Sequence, residues 1–211
     1  MSTGHDRAVT RRRVVVVVTL AVGAVLLGYS LRVRPGDPQF LLSALALAGV
    51  WAAGGLLSGP LPLGPAGSRR RTVLAGVAVG ALVGSVFLAG ALLVREIPPL
   101  RDLTSSVLAY AGGALLPVTA ITVVNAVAEE LFFRGALYAA VGDRYPVTFT
   151  TIIYTATTVA TGNPMLVFAA VTVGTVLALL RRASGGVLAP ILTHVTWSLL
   201  MLYALPPLLR S

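Results

Sequence analysis

The sequence predicts an all-α, polytopic transmembrane helical bundle: seven full spans plus one short or re-entrant segment, eight crossings at most. Three observations carry this. Mean hydropathy is +0.90. Only 11% of residues are charged, against about 25% in soluble domains. Long apolar runs alternate with short loops rich in Arg, Pro and Gly.

In chain order, residues 1–13 form a basic tail with Arg7, Arg11, Arg12 and Arg13, expected to be disordered and cytoplasmic. Val14–Leu31 is the first span. No small-residue cleavage site follows it before Arg32, so the basic start is read as part of an uncleaved span rather than a removed signal peptide. A turn-rich loop, Arg32 to Pro38, leads to Phe40–Leu57, the second span. Ser58–Ser68 is a Pro- and Gly-rich linker ending at Arg69-Arg70-Arg71, and Thr72–Val94 is the third span. After the mixed-charge loop Arg95 to Asp102, Leu103–Leu116 is apolar but short for the roughly 20 residues a span needs, which suits an interfacial or re-entrant segment.

Pro117–Val141 is the fourth span, Val147–Thr161 the short, threonine-rich fifth, Met165–Leu180 the sixth and Val187–Leu205 the seventh, closed by Pro206-Pro207. The division is therefore a basic tail at 1–13, N-terminal membrane helices and loops at 14–116, and a core region at 117–205. Arginines cluster in short loops, as the positive-inside rule demands, so the net charge of +9 is read as membrane topology and not as a nucleic-acid surface. With the N-terminus cytoplasmic, Arg69–Arg71, Asp143/Arg144 and Arg181/Arg182 fall inside. Arg32 and Arg34 run against the trend. The chain is expected in the cell membrane, in contact with membrane lipids. It has no cysteine, hence no disulfide and no thiolate chemistry.

The fourth span contains Ala128-Glu129-Glu130-Leu131-Phe132-Phe133-Arg134-Gly135. Glu129, Glu130 and Arg134 are the only charges between Arg101/Asp102 and Asp143/Arg144. A charge at the centre of a membrane helix costs roughly 2.5–3.5 kcal/mol on insertion scales, so such residues face a polar cavity or each other. Glu130 and Arg134 are four apart and can pair on one helix face. Glu129 points about 100° away and is left for another role. A structural ion pair locking two helices is the plain alternative. His194, in Ala-Pro-Ile-Leu-Thr-His-Val-Thr-Trp-Ser, is the only histidine outside the tail, and Ser198 shares its helix face. Thr157, Thr158 and Thr161 add hydroxyls to the fifth span, where threonine usually bonds its own backbone. Trp197 and Tyr203 are read as packing or interface anchors.

These residues resemble the CPBP family of intramembrane proteases, which spans type II CAAX prenyl endopeptidases, relatives of the lysostaphin-resistance protein, and proteins linked to bacteriocin processing and self-immunity. The resemblance covers about residues 117–205. Its first motif, EExxxR, is met by Glu129, Glu130 and Arg134. Its second, FxxxH, falls on Tyr154 to Thr158, or on the stretch ending at Thr161, and either way a threonine stands for the histidine. Its third, HxxxN, is met by His194 with Ser198 for Asn.

The resemblance implies that Glu129 activates a water, Glu130 and Arg134 hold the site together, and His194 and Ser198 stabilise an oxyanion. It implies a membrane-embedded or lipidated peptide substrate. With one intramembrane histidine, a zinc site of three protein ligands plus water would need both glutamates, so no cofactor is expected. The missing histidine leaves two readings: a glutamate-dependent intramembrane endopeptidase, or a catalytically impaired CPBP-fold protein acting as scaffold or partner of another membrane protein. A transporter is disfavoured because no internal repeat is visible.

Overall fold

The computed structural model describes residues 3–65, 69–111 and 115–210, and these are helical with connecting loops and no strand. The helices are α1 (Thr3–Ser30), α2 (Pro38–Leu57), α3 (Arg69–Val94), α4 (Pro98–Leu108), α5 (Leu115–Glu130), α6 (Tyr138–Val141), α7 (Pro146–Val159), α8 (Pro164–Ser184) and α9 (Leu188–Arg210). A π-helical stretch, Leu131–Leu137, joins α5 to α6, so Leu115–Val141 runs as one rod.

Capping residues set several ends. Asp37 accepts from the Gln39 amide at 2.8 Å and Pro38 opens α2. Asn163 accepts from the Met165 amide at 2.8 Å ahead of Pro164, and Gly185 in the left-handed region (φ 66°) closes α8. These caps extend α8 beyond the Met165–Leu180 that hydropathy alone marks. Two boundaries differ more. The tail expected to be disordered is helical from Thr3, consistent with its run of arginines, which are good helix formers. The last helix continues through Pro206 and Pro207 to Arg210.

Among the described residues, six helices are long and apolar enough to cross a membrane. The expected fifth span is not among them. α7 has 14 residues, a rise of about 21 Å against a hydrocarbon core of about 30 Å. It nevertheless runs between the two ends of the bundle. Its start lies by Arg182, and the turn after it bonds α4 through Asn163 Nδ2 to the Leu103 carbonyl at 2.9 Å. Of the short segment expected at Leu103–Leu116, residues 112–114 lie outside the described residues. α4 takes it up to Leu108 with no buried residue, a 3₁₀ turn follows at Ala109–Ala111, and α5 starts at Leu115.

Contacts between loops sort the two ends. At one, the Val187 amide donates to the Pro62 carbonyl (2.9 Å) and Arg12 Nε to the Ser58 carbonyl (3.3 Å). Arg69–Arg71, Arg144, Arg181 and Arg182 belong to this end by chain position. At the other, Tyr110 donates to the Leu31 carbonyl at 2.7 Å, and Arg95 pairs with Glu96. Large apolar side chains such as Val17, Leu42, Leu82 and Leu93 cover the outside, as a lipid solvent allows.

Glycines let α3 and α9 approach closely. A Cβ at Gly80 would lie 2.7 Å from the Thr193 carbonyl, and Thr193 Oγ1 donates to the Gly76 carbonyl at 2.8 Å. That contact seats α9 one residue before His194. On the other side, Trp51 of α2 packs on Phe132 and Phe133 with ring centroids 4.9 and 5.0 Å apart, anchoring the π-helical stretch.

Candidate active site

Glu130 is wholly buried, and its carboxylate is the centre of the charged cluster. Arg134 Nη1 donates to Glu130 Oε1 at 2.9 Å, the four-residue pairing expected from the sequence. Arg134 Nη2 donates to the Gly174 carbonyl of α8 at 2.9 Å, and Arg181 Nε donates to the Arg134 carbonyl at 2.8 Å. One buried guanidinium thus ties α5 to α8. The π-helical stretch begins directly after Glu130, and such stretches recur at functional sites.

His194 Nδ1 lies 2.9 Å from the same oxygen, Glu130 Oε1. A carboxylate paired with arginine only accepts hydrogen bonds, so Nδ1 carries the proton and donates. Nε2 is then the nitrogen left for chemistry: a lone pair in the neutral ring, a donor in the imidazolium.

Glu129 leaves the pair and lines a cavity of about 190 Å³ together with Tyr154, Thr157, Thr158, Thr161, Trp197 and His194, among apolar walls that include Trp51, Phe133 and Val173. Tyr154 O–H donates to Glu129 Oε2 at 2.9 Å. The two glutamates therefore have separate surroundings: Glu130 in a closed ionic cluster, Glu129 at a cavity edge.

The threonines at the second-motif place line this cavity, but their hydroxyls bond their own backbone. Thr157 donates to the Ile153 carbonyl at 2.8 Å, Thr158 to the Tyr154 carbonyl at 2.9 Å and Thr161 to the Thr158 carbonyl at 2.7 Å. Ser198 is half-buried and lies outside the cavity lining. Its neighbour Trp197 is in the lining, and its indole Nε1 is buried with no partner among the described residues.

Two residues escaped sequence reasoning. In one of the two registers of the second motif Tyr154 takes the phenylalanine's place, and its extra hydroxyl is the signal. Trp197 reads from the sequence as an anchor, and nothing in the sequence separates an anchoring tryptophan from one lining a cavity.

The donor set does not fit a zinc ion held by three protein ligands. Glu130 and His194 Nδ1 bond each other beside the Arg134 cation, and among the described residues no three His, Cys, Asp or Glu side chains gather as a metal site.

Fold and site together define a helical membrane protein with a buried ionic cluster behind an intramembrane cavity. Residues 111–200 match the family model described as type II CAAX prenyl endopeptidase, Rce1-like, so this region of the chain is similar to that family. No curated protein and no solved structure matches the chain.

Proposed function

We propose that this chain is a CPBP-type intramembrane endopeptidase in which Glu129 activates water. The supporting observation is the division of labour between adjacent carboxylates: Glu130 is fully buried and held by Arg134 and His194, while Glu129 borders the cavity. Glu129 takes a proton from water as the water oxygen bonds to the scissile carbonyl carbon. The carbonyl π pair moves to oxygen, where His194 Nε2–H and the Trp197 indole N–H stabilise it; Trp197 is taken in place of Ser198 because it lines the cavity and Ser198 does not. Collapse breaks the C–N bond, and the proton on Glu129 passes to the departing amine. Glu130 supplies the counter-charge to the imidazolium and fixes its orientation.

The substrate is a membrane-embedded or lipidated peptide, because the cavity walls are largely apolar and the bundle exterior is lipid-facing. The arginine-rich end is cytoplasmic, by the positive-inside rule. Core chemistry resides in 117–205, with 14–116 completing the bundle.

One observation favours the second reading, an impaired CPBP-fold scaffold or partner of another membrane protein: Thr157, Thr158 and Thr161 give their hydroxyls to the backbone, and no imidazole stands in α7. The deciding experiment is cleavage of a prenylated peptide and a panel of membrane-protein substrates by purified protein, with Glu129→Ala as control. Glu129-dependent cleavage supports the protease. Inactivity on every substrate supports the scaffold.

A further inference from the structure

We propose that Tyr154 is the positioning residue for Glu129, doing from α7 what a second-motif histidine would do one turn later. This rests on the protease reading above.

The phenol donates to Glu129 Oε2 at 2.9 Å, which leaves Oε1 as the oxygen available to a water. The ring itself is clamped on three sides. Phe133 packs edge-on at 4.8 Å between centroids, the Arg134 guanidinium sits over the ring face at 4.7 Å, and Gly174 leaves room where a Cβ would come within 2.9 Å of Tyr154 Cδ1. Arg134 therefore orders both carboxylates: Glu130 by a direct ion pair, Glu129 through the ring beneath its guanidinium. A phenol held this way needs little further ordering to make its bond, and a donor to a buried carboxylate is among the stronger hydrogen bonds. Thr158 lies one turn further along α7 and lines the same cavity, so an imidazole there would reach the same space from an adjacent position. The hydroxyl of Tyr154 makes that imidazole dispensable.

The test compares wild type with Tyr154→Phe, Tyr154→Phe/Thr158→His and Thr158→His, using whichever peptide the wild type cleaves. Tyr154→Phe keeps the ring and its clamp and removes only the hydroxyl. It should lower kcat about 10- to 100-fold, with KM and the melting temperature in detergent unchanged. Adding Thr158→His should restore most of kcat, whereas Thr158→His alone should gain little over wild type. Thr161→His, beyond the end of α7, serves as a position control and should not rescue. Equal kcat for wild type and Tyr154→Phe overturns this inference alone, as does loss of activity matched by a fall in melting temperature with no rescue. Wild-type inactivity on all substrates overturns the protease reading, and the positioning role with it.

Discussion

His194 Nδ1 shares a single oxygen, Glu130 Oε1, with Arg134, each at 2.9 Å, while Glu129 next along the helix bonds Tyr154 instead. The histidine is therefore oriented by the inner glutamate and its free nitrogen is Nε2. Since His5 is the only other histidine, a His5→Ala variant carries one imidazole. Its ¹⁵N spectrum should show a protonated Nδ1. A neutral ring protonated only at Nε2 would contradict the pairing.

Glu130→Gln removes the counter-charge that supports His194 as the imidazolium. The ring is then left neutral, and its N–H is a weaker donor to the developing oxyanion than the charged form. We expect kcat to fall by about 10²-fold or more with the protein still folded. A variant with wild-type kcat would show that the counter-charge is not used.

Arg134→Ala should destabilise the bundle far more than Ser198→Ala. Arg134 is 1% exposed and bonds Glu130, Gly174 and, through its carbonyl, Arg181. Removing one partner of a buried pair costs roughly 3–5 kcal/mol, whereas a lost hydroxyl hydrogen bond costs about 1 kcal/mol. Equal melting temperatures in detergent would argue against a structural role for the pair.

Trp197→Phe separates the two proposed oxyanion donors. It removes a buried indole N–H that has no partner among the described residues and keeps most of the packing against Phe87, whose ring centroid is 5.4 Å away. Loss of one oxyanion donor typically costs 10²–10³ in kcat. Trp197→Phe should show a loss of that order and Ser198→Ala a small one, and the reverse ranking would return the role to Ser198.

Orientation in the membrane is tested by cysteine labelling, which the cysteine-free chain allows directly. Single cysteines at positions 70 and 182 should label only after permeabilisation. Labelling of either in intact cells would invert the topology.

The helical class was legible because lipid-facing surfaces must be apolar, and hydropathy reads that directly. Helix ends were less so: the α8 boundaries depend on Asn163 and Gly185 as caps, and the N-terminal helix passes through a polar stretch that hydropathy ignores. The Glu130–Arg134 pair followed from spacing along one helix. The Glu130–His194 and Glu129–Tyr154 bonds did not, because each joins two helices whose relative rotation is set by packing: Thr193 on Gly76 for α9, and the Phe133 and Arg134 clamp for α7. Nor does the sequence mark the π-helical stretch at Leu131–Leu137, whose Phe132 and Phe133 pack on Trp51 of another helix.

The central claim is that Glu129 is the general base, and the most direct measurement is the cleavage rate of Glu129→Ala beside wild type in purified, folded form. Wild type should cleave at least one prenylated or membrane-protein substrate, and Glu129→Ala should lose about 10²–10⁴-fold of that rate at an unchanged melting temperature. Appreciable wild-type cleavage that survives Glu129→Ala would contradict the assignment of the site.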